Sequence, residues 1–383
     1  MLGGQKVIVW SLVNRDGVLG KHKMTRRKFV TGVAALSSLS LAGCGWRLGN
    51  VREPSTITGS RDQLDLYTWA QYTDQELLTT FAAQTGIKVL ADVYDSNDVM
   101  LAKLQAGGGG AYSVIYPSDY MVQKMVDKGL LREINRHRLI GLDNLFPRFQ
   151  SSTYDPNNRY SIPFSWGTTG LIYDSEKLKT PPDDWDYLWQ HQEELSKRMT
   201  LLSDVREVMG AALRMLGYSY NSQNENEIKQ AYDKLKAIKG AIAAFDTDAW
   251  RNQIVAGDLL LAMCYSSDGV KISQDYPKFK YVLPKSGSSL WTDTIVMPRA
   301  APNADGAYAW INFILRPEVA AQMTQRLGIA TPNRAGFDLL PKKIQDNSSL
   351  FPPQSLLKKC ERVTPLGAFE QVYERYWTEL TSN

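Results

Sequence analysis

The side chains best suited to chemistry in this chain are aromatic and acidic residues that recur together at the predicted ends of strands. Trp69 and Tyr72 follow the first predicted strand, and Ser118, Asp119 and Tyr120 follow the third. Asp204 and Glu207 follow a short strand at Leu201, Tyr265 ends a strand that starts at Leu259, and Trp291 and Asp293 lie in a late extended segment. Alternation along a strand puts Trp291 and Asp293 on the same side, where one cation could meet a ring face and a carboxylate together. Plainer roles are open to the same residues. Asp204 and Glu207 have the spacing of a helix capping box, and acids there also offset the positive end of the helix. Asp119 could cap the helix it starts, and Trp69, Trp291 and Tyr265 could belong to the core.

This chemistry points to binding rather than bond-making. The chain has three His (His22, His137, His191), no Cys-x-x-Cys and no Gly-x-Ser-x-Gly elbow, so neither a metal nor a cofactor is expected. Gly107 to Gly110 lacks the Gly-Lys-Ser/Thr of a phosphate loop and reads as a loose turn. The rival from another class is a secreted hydrolase that uses two of Asp204, Glu207 and Asp293 as acid and base, with the aromatics as sugar platforms.

The first forty-odd residues are read as an export signal. Met24-Thr25-Arg26-Arg27-Lys28-Phe29-Val30 is basic, a small-residue apolar run follows, and Leu41-Ala42-Gly43-Cys44 supplies small residues before a cleavage point. The paired arginines resemble the twin-arginine signal, and the ending resembles a lipobox in which Cys44 takes the lipid. Met24 is an alternative start. Seven of the 44 Lys/Arg and one of the 40 Asp/Glu lie in residues 1–43, so the net charge of +4 becomes −2 in the mature chain. The basic excess that would suggest nucleic acid therefore belongs to the signal. No later apolar run is long enough to span a bilayer. Cys264 and Cys360 are expected to be buried, unpaired thiols.

The mature body, long enough for two domains, alternates strands and helices. Strands at Leu64–Trp69, Ile87–Val93 and Tyr112–Tyr116 are separated by helices at Asp74–Gln84 and Asn97–Gln105, and a helix at Asp119–Lys128 follows. This order implies a parallel sheet in an α/β fold. A second α/β unit has strands at Leu201–Ser203 and Leu259–Cys264 and helices at Val205–Leu216 and Glu227–Lys239. Extended segments at Tyr160–Tyr173 and Ser288–Pro298 lie near its ends, and helices at Asp305–Leu315, Glu318–Leu327 and Phe369–Leu380 complete the chain. The expected architecture is two-lobed: residues 44–61 a linker, 62–165 with 294–338 an N-terminal lobe, and 166–293 with 339–383 a C-terminal lobe. Two lobes joined by crossing segments, exported and lipid-anchored, suggest a solute-binding protein with its ligand between the domains.

Several stretches sharpen that reading. Thr68-Trp69-Ala70-Gln71-Tyr72, Pro117-Ser118-Asp119-Tyr120, Asp155-Pro156-Asn157-Asn158-Arg159-Tyr160-Ser161-Ile162-Pro163, Asp204-Val205-Arg206-Glu207-Val208, Trp291-Thr292-Asp293 and Thr331-Pro332-Asn333 resemble the periplasmic spermidine/putrescine-binding proteins of bacterial ABC importers, as does Gln84-Thr85-Gly86-Ile87-Lys88-Val89. The resemblance runs from about Leu64 to the C-terminus. It implies a type II periplasmic binding fold and a polyamine site lined by Trp69, Tyr72, Ser118, Tyr120, Asp204, Glu207, Trp291 and Asp293. It also implies an inner-membrane ABC permease as partner, a monomer anchored to the membrane through Cys44, and no nucleic acid. The chain departs from the pattern at Ala70, at Tyr265 in place of a Trp, at Ile329-Ala330 where a Tyr is expected, and at Arg362 or Val363 where a Gln is expected. A sugar, an amino acid or iron on the same fold is the remaining alternative.

Overall fold

The sheet begins with β1 (Gln63–Thr68), whose inward Leu64 and Leu66 alternate with Gln63 and Asp65. Asp74 caps helix α1 (Gln75–Thr85) by accepting from the Leu77 N–H at 2.7 Å, and Gly86 ends it in the left-handed conformation. Strand β2 (Lys88–Val93) pairs parallel with β1. Helix α2 (Asn97–Gln105) leads to β3 (Val114–Ile115), which flanks β1 on its other side, again parallel. Helix α3 (Asp119–Asp127) follows. The computed structural model describes residues 61–382; the export signal, Cys44 and all of the linker but its last residue lie outside them.

The molecule then turns on β4 (Ser161–Asp174), fourteen residues that are buried throughout. After it come β5 (Met199–Leu201), α4 (Val205–Met215), α5 (Glu225–Ile238), β6 (Ile242–Phe245), α6 (Trp250–Ala256), β7 (Leu261–Tyr265), α7 (Ser266–Asp275), β8 (Phe279–Val282) and β9 (Leu290–Val296). The first half of β4 pairs antiparallel with β9, from Ser161 opposite Val296 to Thr168 opposite Leu290. The second half pairs antiparallel with both β7 and β8. The resulting mixed order is β2-β1-β3-β9-β4-β7-β5-β6, with β8 beside β4. Thus β4 and β9 are the two crossing segments. Helices α8 (Ala304–Ile314), α9 (Pro317–Leu327) and α10 (Glu370–Thr381) complete the layers.

Side-chain packing divides at the same crossing. Leu64, Phe81, Phe149, Ile295, Trp310 and Ile311 form a first core, with Met100, Met121 and Val122 in an adjoining cluster. Leu201, Val208, Leu213, Ile228, Leu261 and Tyr373 form a second core, backed by Ile172, Trp250 and Phe279. Trp166 packs in the first core. The segment after Asp338, expected with the C-terminal lobe, divides between the cores: Leu350 and Leu357 pack in the first, Leu366 and Tyr376 in the second.

Several expectations need correction. The third strand is shorter than the predicted Tyr112–Tyr116, and the strand expected from Leu259 starts at Leu261 and runs through Tyr265. Helix α7 was not anticipated, because Ser266-Ser267-Asp268-Gly269 has the composition of a turn; those residues are buried in its first turn. Tyr220 is fully buried although its sequence neighbours are polar. Cys264 is buried and Cys360 only partly so, and both are free thiols. Among the described residues no helix is long and apolar enough to cross a membrane.

One position tests how tightly β4 is gripped. A Cβ on Gly170 would lie 2.3 Å from the Val282 carbonyl oxygen and 2.7 Å from the Tyr281 hydroxyl oxygen, and the carbonyl cannot swing away. Gly170→Ala is expected to destabilise the protein by roughly 1–3 kcal/mol, the usual cost of overpacking, read as a lower urea midpoint.

Candidate functional site

Where the crossing strands meet the ends of the parallel strands, a cavity opens. Its walls include all ten residues expected to contact ligand: Trp69, Tyr72, Ser118, Asp119, Tyr120, Asp204, Glu207, Tyr265, Trp291 and Asp293. Trp291 and Asp293 project from the same side of β9, as strand alternation requires. Opposite Trp291 on β4 is Gly167, where a Cβ would lie 2.4 Å from the indole Cζ2. The absent side chain lets the ring lie against the strand. Tyr265 meets Trp291 edge-on at 5.9 Å, and Trp69 is steadied by donating from its indole N–H to the Tyr116 carbonyl at 2.9 Å.

Asp293 is buried at one end. Ser118 donates to its Oδ1 at 2.6 Å and Tyr72 donates to its Oδ2. Ser118 is in turn fixed by Asn97, which donates to its hydroxyl at 3.0 Å and accepts from its N–H at 3.1 Å. Asp204 and Glu207 are brought together by α4. Asp204 caps the helix, accepting from the N–H groups of Arg206 at 2.8 Å and Glu207 at 3.1 Å. Glu207 does not complete a capping box. Its carboxylate turns inward and accepts from Tyr220 at 2.8 Å and Ser289 at 2.7 Å.

Asp204, Glu207 and Asp293 have hydrogen-bond donors but no cation: among the described residues no Lys, Arg or His lies within ion-pair distance of them. Burial therefore dominates their acidity. It pushes Asp293 up to about 6 against its two hydroxyl donors. It also raises Glu207 to about 7, with the Asp204 charge adding to the effect, and it raises Asp204 in spite of the helix N–H groups and the Arg206 charge. Asp119 is different. It starts α3 with Ser118 as the N-cap, and its Oδ2 accepts from Arg362 at 2.7 Å. Burial nonetheless raises it to about 7 against the Arg362 charge, with a further push from Asp293.

Other wall residues were not anticipated. Asp268 and Arg251 form a paired group there, with Arg251 donating to Asp268 at 2.9 Å and to Asp248 at 2.6 Å. Gln71, Tyr94, Asn97 and Val363 also line the cavity. Gln71 was within reach of motif reading, because it adjoins Tyr72, and Val363 is one of the two positions already named where a Gln is expected; Arg251 and Asp268 gave no local signal. Ile329 and Ala330, where an aromatic was expected, are buried in the first core, and the Ala330 carbonyl accepts from the Trp166 N–H at 3.2 Å.

A mixed α/β fold with two cores, two crossing strands and a cavity between them defines a periplasmic-type solute-binding protein. The chain belongs to the family of bacterial extracellular solute-binding proteins, which matches it over residues 76–352. Within that class, it is 36% identical over 320 residues to the spermidine/putrescine-binding periplasmic protein of Salmonella typhimurium, covering 83% of this chain and 91% of that one. The solved spermidine/putrescine ABC transporter substrate-binding protein of Streptococcus pneumoniae aligns with a TM-score of 0.74 at 32% identity, over 83% of this chain and 98% of that one. A Treponema pallidum lipoprotein of the same kind aligns with a TM-score of 0.74 at 27% identity, over 84% of this chain and all of that one.

The raised pKa values set a sign for the effect of pH. Asp119, Glu207 and Asp293 hold their protons more tightly when folded than when unfolded, so stability falls as pH rises from the unfolded carboxyl range near 4 through their folded values of about 6 to 7. Calorimetry of the ligand-free protein should show melting temperature decreasing between about pH 5 and pH 7.5, and decreasing less in Asp293→Asn. Equal slopes in the two proteins would remove Asp293 from the titrating set.

Proposed function

We propose that this chain captures linear polyamines, spermidine or putrescine, outside the cytoplasm and delivers them to an inner-membrane ABC importer. The observation that carries this reading is the set of three cavity carboxylates, Asp204, Glu207 and Asp293, supplied with hydrogen-bond donors but, among the described residues, with no protein cation within ion-pair distance. A buried carboxylate without a counter-charge is costly, and a ligand that carries several ammonium groups on methylene spacers removes that cost. One ammonium sits at Asp293 and another at the Asp204–Glu207 pair. Trp69, Tyr72, Tyr120, Tyr265 and Trp291 cover the methylenes and present ring faces, each cation contact contributing about 0.5–2 kcal/mol. The names of the similar proteins support the same ligand class.

The ligand bridges the two lobes and favours a closed arrangement, which the permease reads. The lobes are residues 62–165 with 294–338 and residues 166–293 with 339–383, the last segment packing against both cores, and they are hinged on β4 and β9. Export follows the signal in residues 1–43, and lipidation of Cys44 tethers the receptor, a monomer, to the membrane.

A thermal-shift panel of polyamines, sugars, amino acids and ferric iron tests the ligand class, since only a ligand of the folded state raises the midpoint. Spermidine or putrescine is expected to do so. A shift produced by a sugar or iron alone would replace this reading. Asp293→Ala is expected to lose about 2–5 kcal/mol of binding, roughly 30- to several-thousand-fold in affinity. Titration calorimetry giving spermidine binding within about threefold of the unaltered protein, a difference of under 1 kcal/mol, would show that the site is assigned wrongly.

A further inference from the structure

Asp119 and Arg362 belong to different cores and meet at the cavity wall. Asp119 opens α3, whose Met121, Val122 and Met125 pack in the cluster adjoining the first core. Arg362 lies on a segment fastened to the other side. The Glu361 N–H donates to the Ser288 carbonyl at 2.9 Å, Asn221 donates to the Arg362 carbonyl at 2.8 Å, and Arg206 donates to the Thr364 carbonyl at 2.9 Å. From there the guanidinium reaches across to Asp119 at 2.7 Å and also donates to the Thr292 hydroxyl at 2.9 Å. Thr292 is the neighbour of Asp293 on β9. The carboxylate of this pair is 2% exposed.

We propose that Asp119 and Arg362 form a latch between the lobes that tightens when a ligand cation neutralises Asp293. The proposal rests on the polyamine reading of the cavity. Asp119 and Asp293 repel one another, and the Asp293 charge is one of the influences that favour the protonated form of Asp119. A protonated Asp119 keeps its hydrogen bond to Arg362 but loses the charge pairing. An ammonium bound at Asp293 cancels the repulsion, favours ionised Asp119 and so strengthens the bridge across the cleft. By linkage, the closed bridge holds the ligand more tightly to the same degree. Arg362 is thus a positioning residue, which acts on the ligand through Asp119 and the closed state. A second crossing pair, Lys124 with Glu370 at 3.4 Å, is about one-third exposed on both sides and contributes little.

Stopped-flow fluorescence with spermidine separates a latch from a general packing role. Arg362→Gln and Asp119→Asn are each expected to raise the dissociation rate by roughly tenfold or more, with the association rate changed by less than about threefold. Arg362→Lys should recover part of the loss, and the double variant should release no faster than the worse single variant, because the pair acts as one unit. Asp119→Asn changes so little of the side chain that it keeps the test open if Arg362→Gln fails to fold. Release at the unaltered rate in Asp119→Asn, or losses that add in the double variant, would overturn the latch while leaving polyamine binding intact. Failure of the unaltered protein to bind spermidine would instead overturn the polyamine reading, and the latch with it.

Discussion

Asp204, Glu207 and Asp293 are held in the cavity wall by groups that orient them without cancelling their charge: the backbone N–H groups at the start of α4, and the hydroxyls of Tyr220, Ser289, Ser118 and Tyr72. Taking an ion out of water without a counter-ion costs on the order of several kcal/mol, and a handful of hydrogen bonds returns only part of that. The protein avoids this cost elsewhere, pairing Asp119 with Arg362 and Asp268 with Arg251 in the same cavity. The contrast within one wall separates acids that serve the architecture from acids left for a cation. Burial raises the pKa of paired and unpaired acids alike in this wall, and a proton is the smallest cation that can relieve it.

Bringing those acids together is the work of two strands. Asp293 is carried by β9, the Glu207 carboxylate is fixed by Ser289 just before it, and Trp291 stands between them. The partner strand β4 supplies Gly167 under the indole, and two of its neighbours, β7 and β8, belong to the second core. The cavity therefore lies at the junction of the two cores, where the proposed hinge would open and close it.

Much of this was legible locally. The periodicity of Leu77 and Phe81 with Asp74 before them and Gly86 after them marks α1, and the long buried runs at β4 and β9 were visible as extended segments. The Trp291/Asp293 alternation and the Asp204/Glu207 spacing placed side chains correctly on their elements. What failed depended on burial. Helix α7 begins with residues that favour turns in isolation and is stabilised by packing, and Tyr220 sits among polar neighbours yet points into the second core to reach Glu207.

The order of strands and helices, the aromatic and acidic types at strand ends and the family resemblance are written in the sequence, because each rests on neighbours a few residues apart. Which acids keep a counter-ion is not. Asp119 and Arg362 are 243 residues apart, and Asp204, Asp268 and Asp293 look alike in one dimension. Only the folded chain decides that Arg362 reaches Asp119 and Arg251 reaches Asp268 while Asp293 receives hydroxyls alone. The physical reason is that a carboxylate's state is set by burial and by the charges within a few ångströms, and both are properties of three-dimensional neighbours.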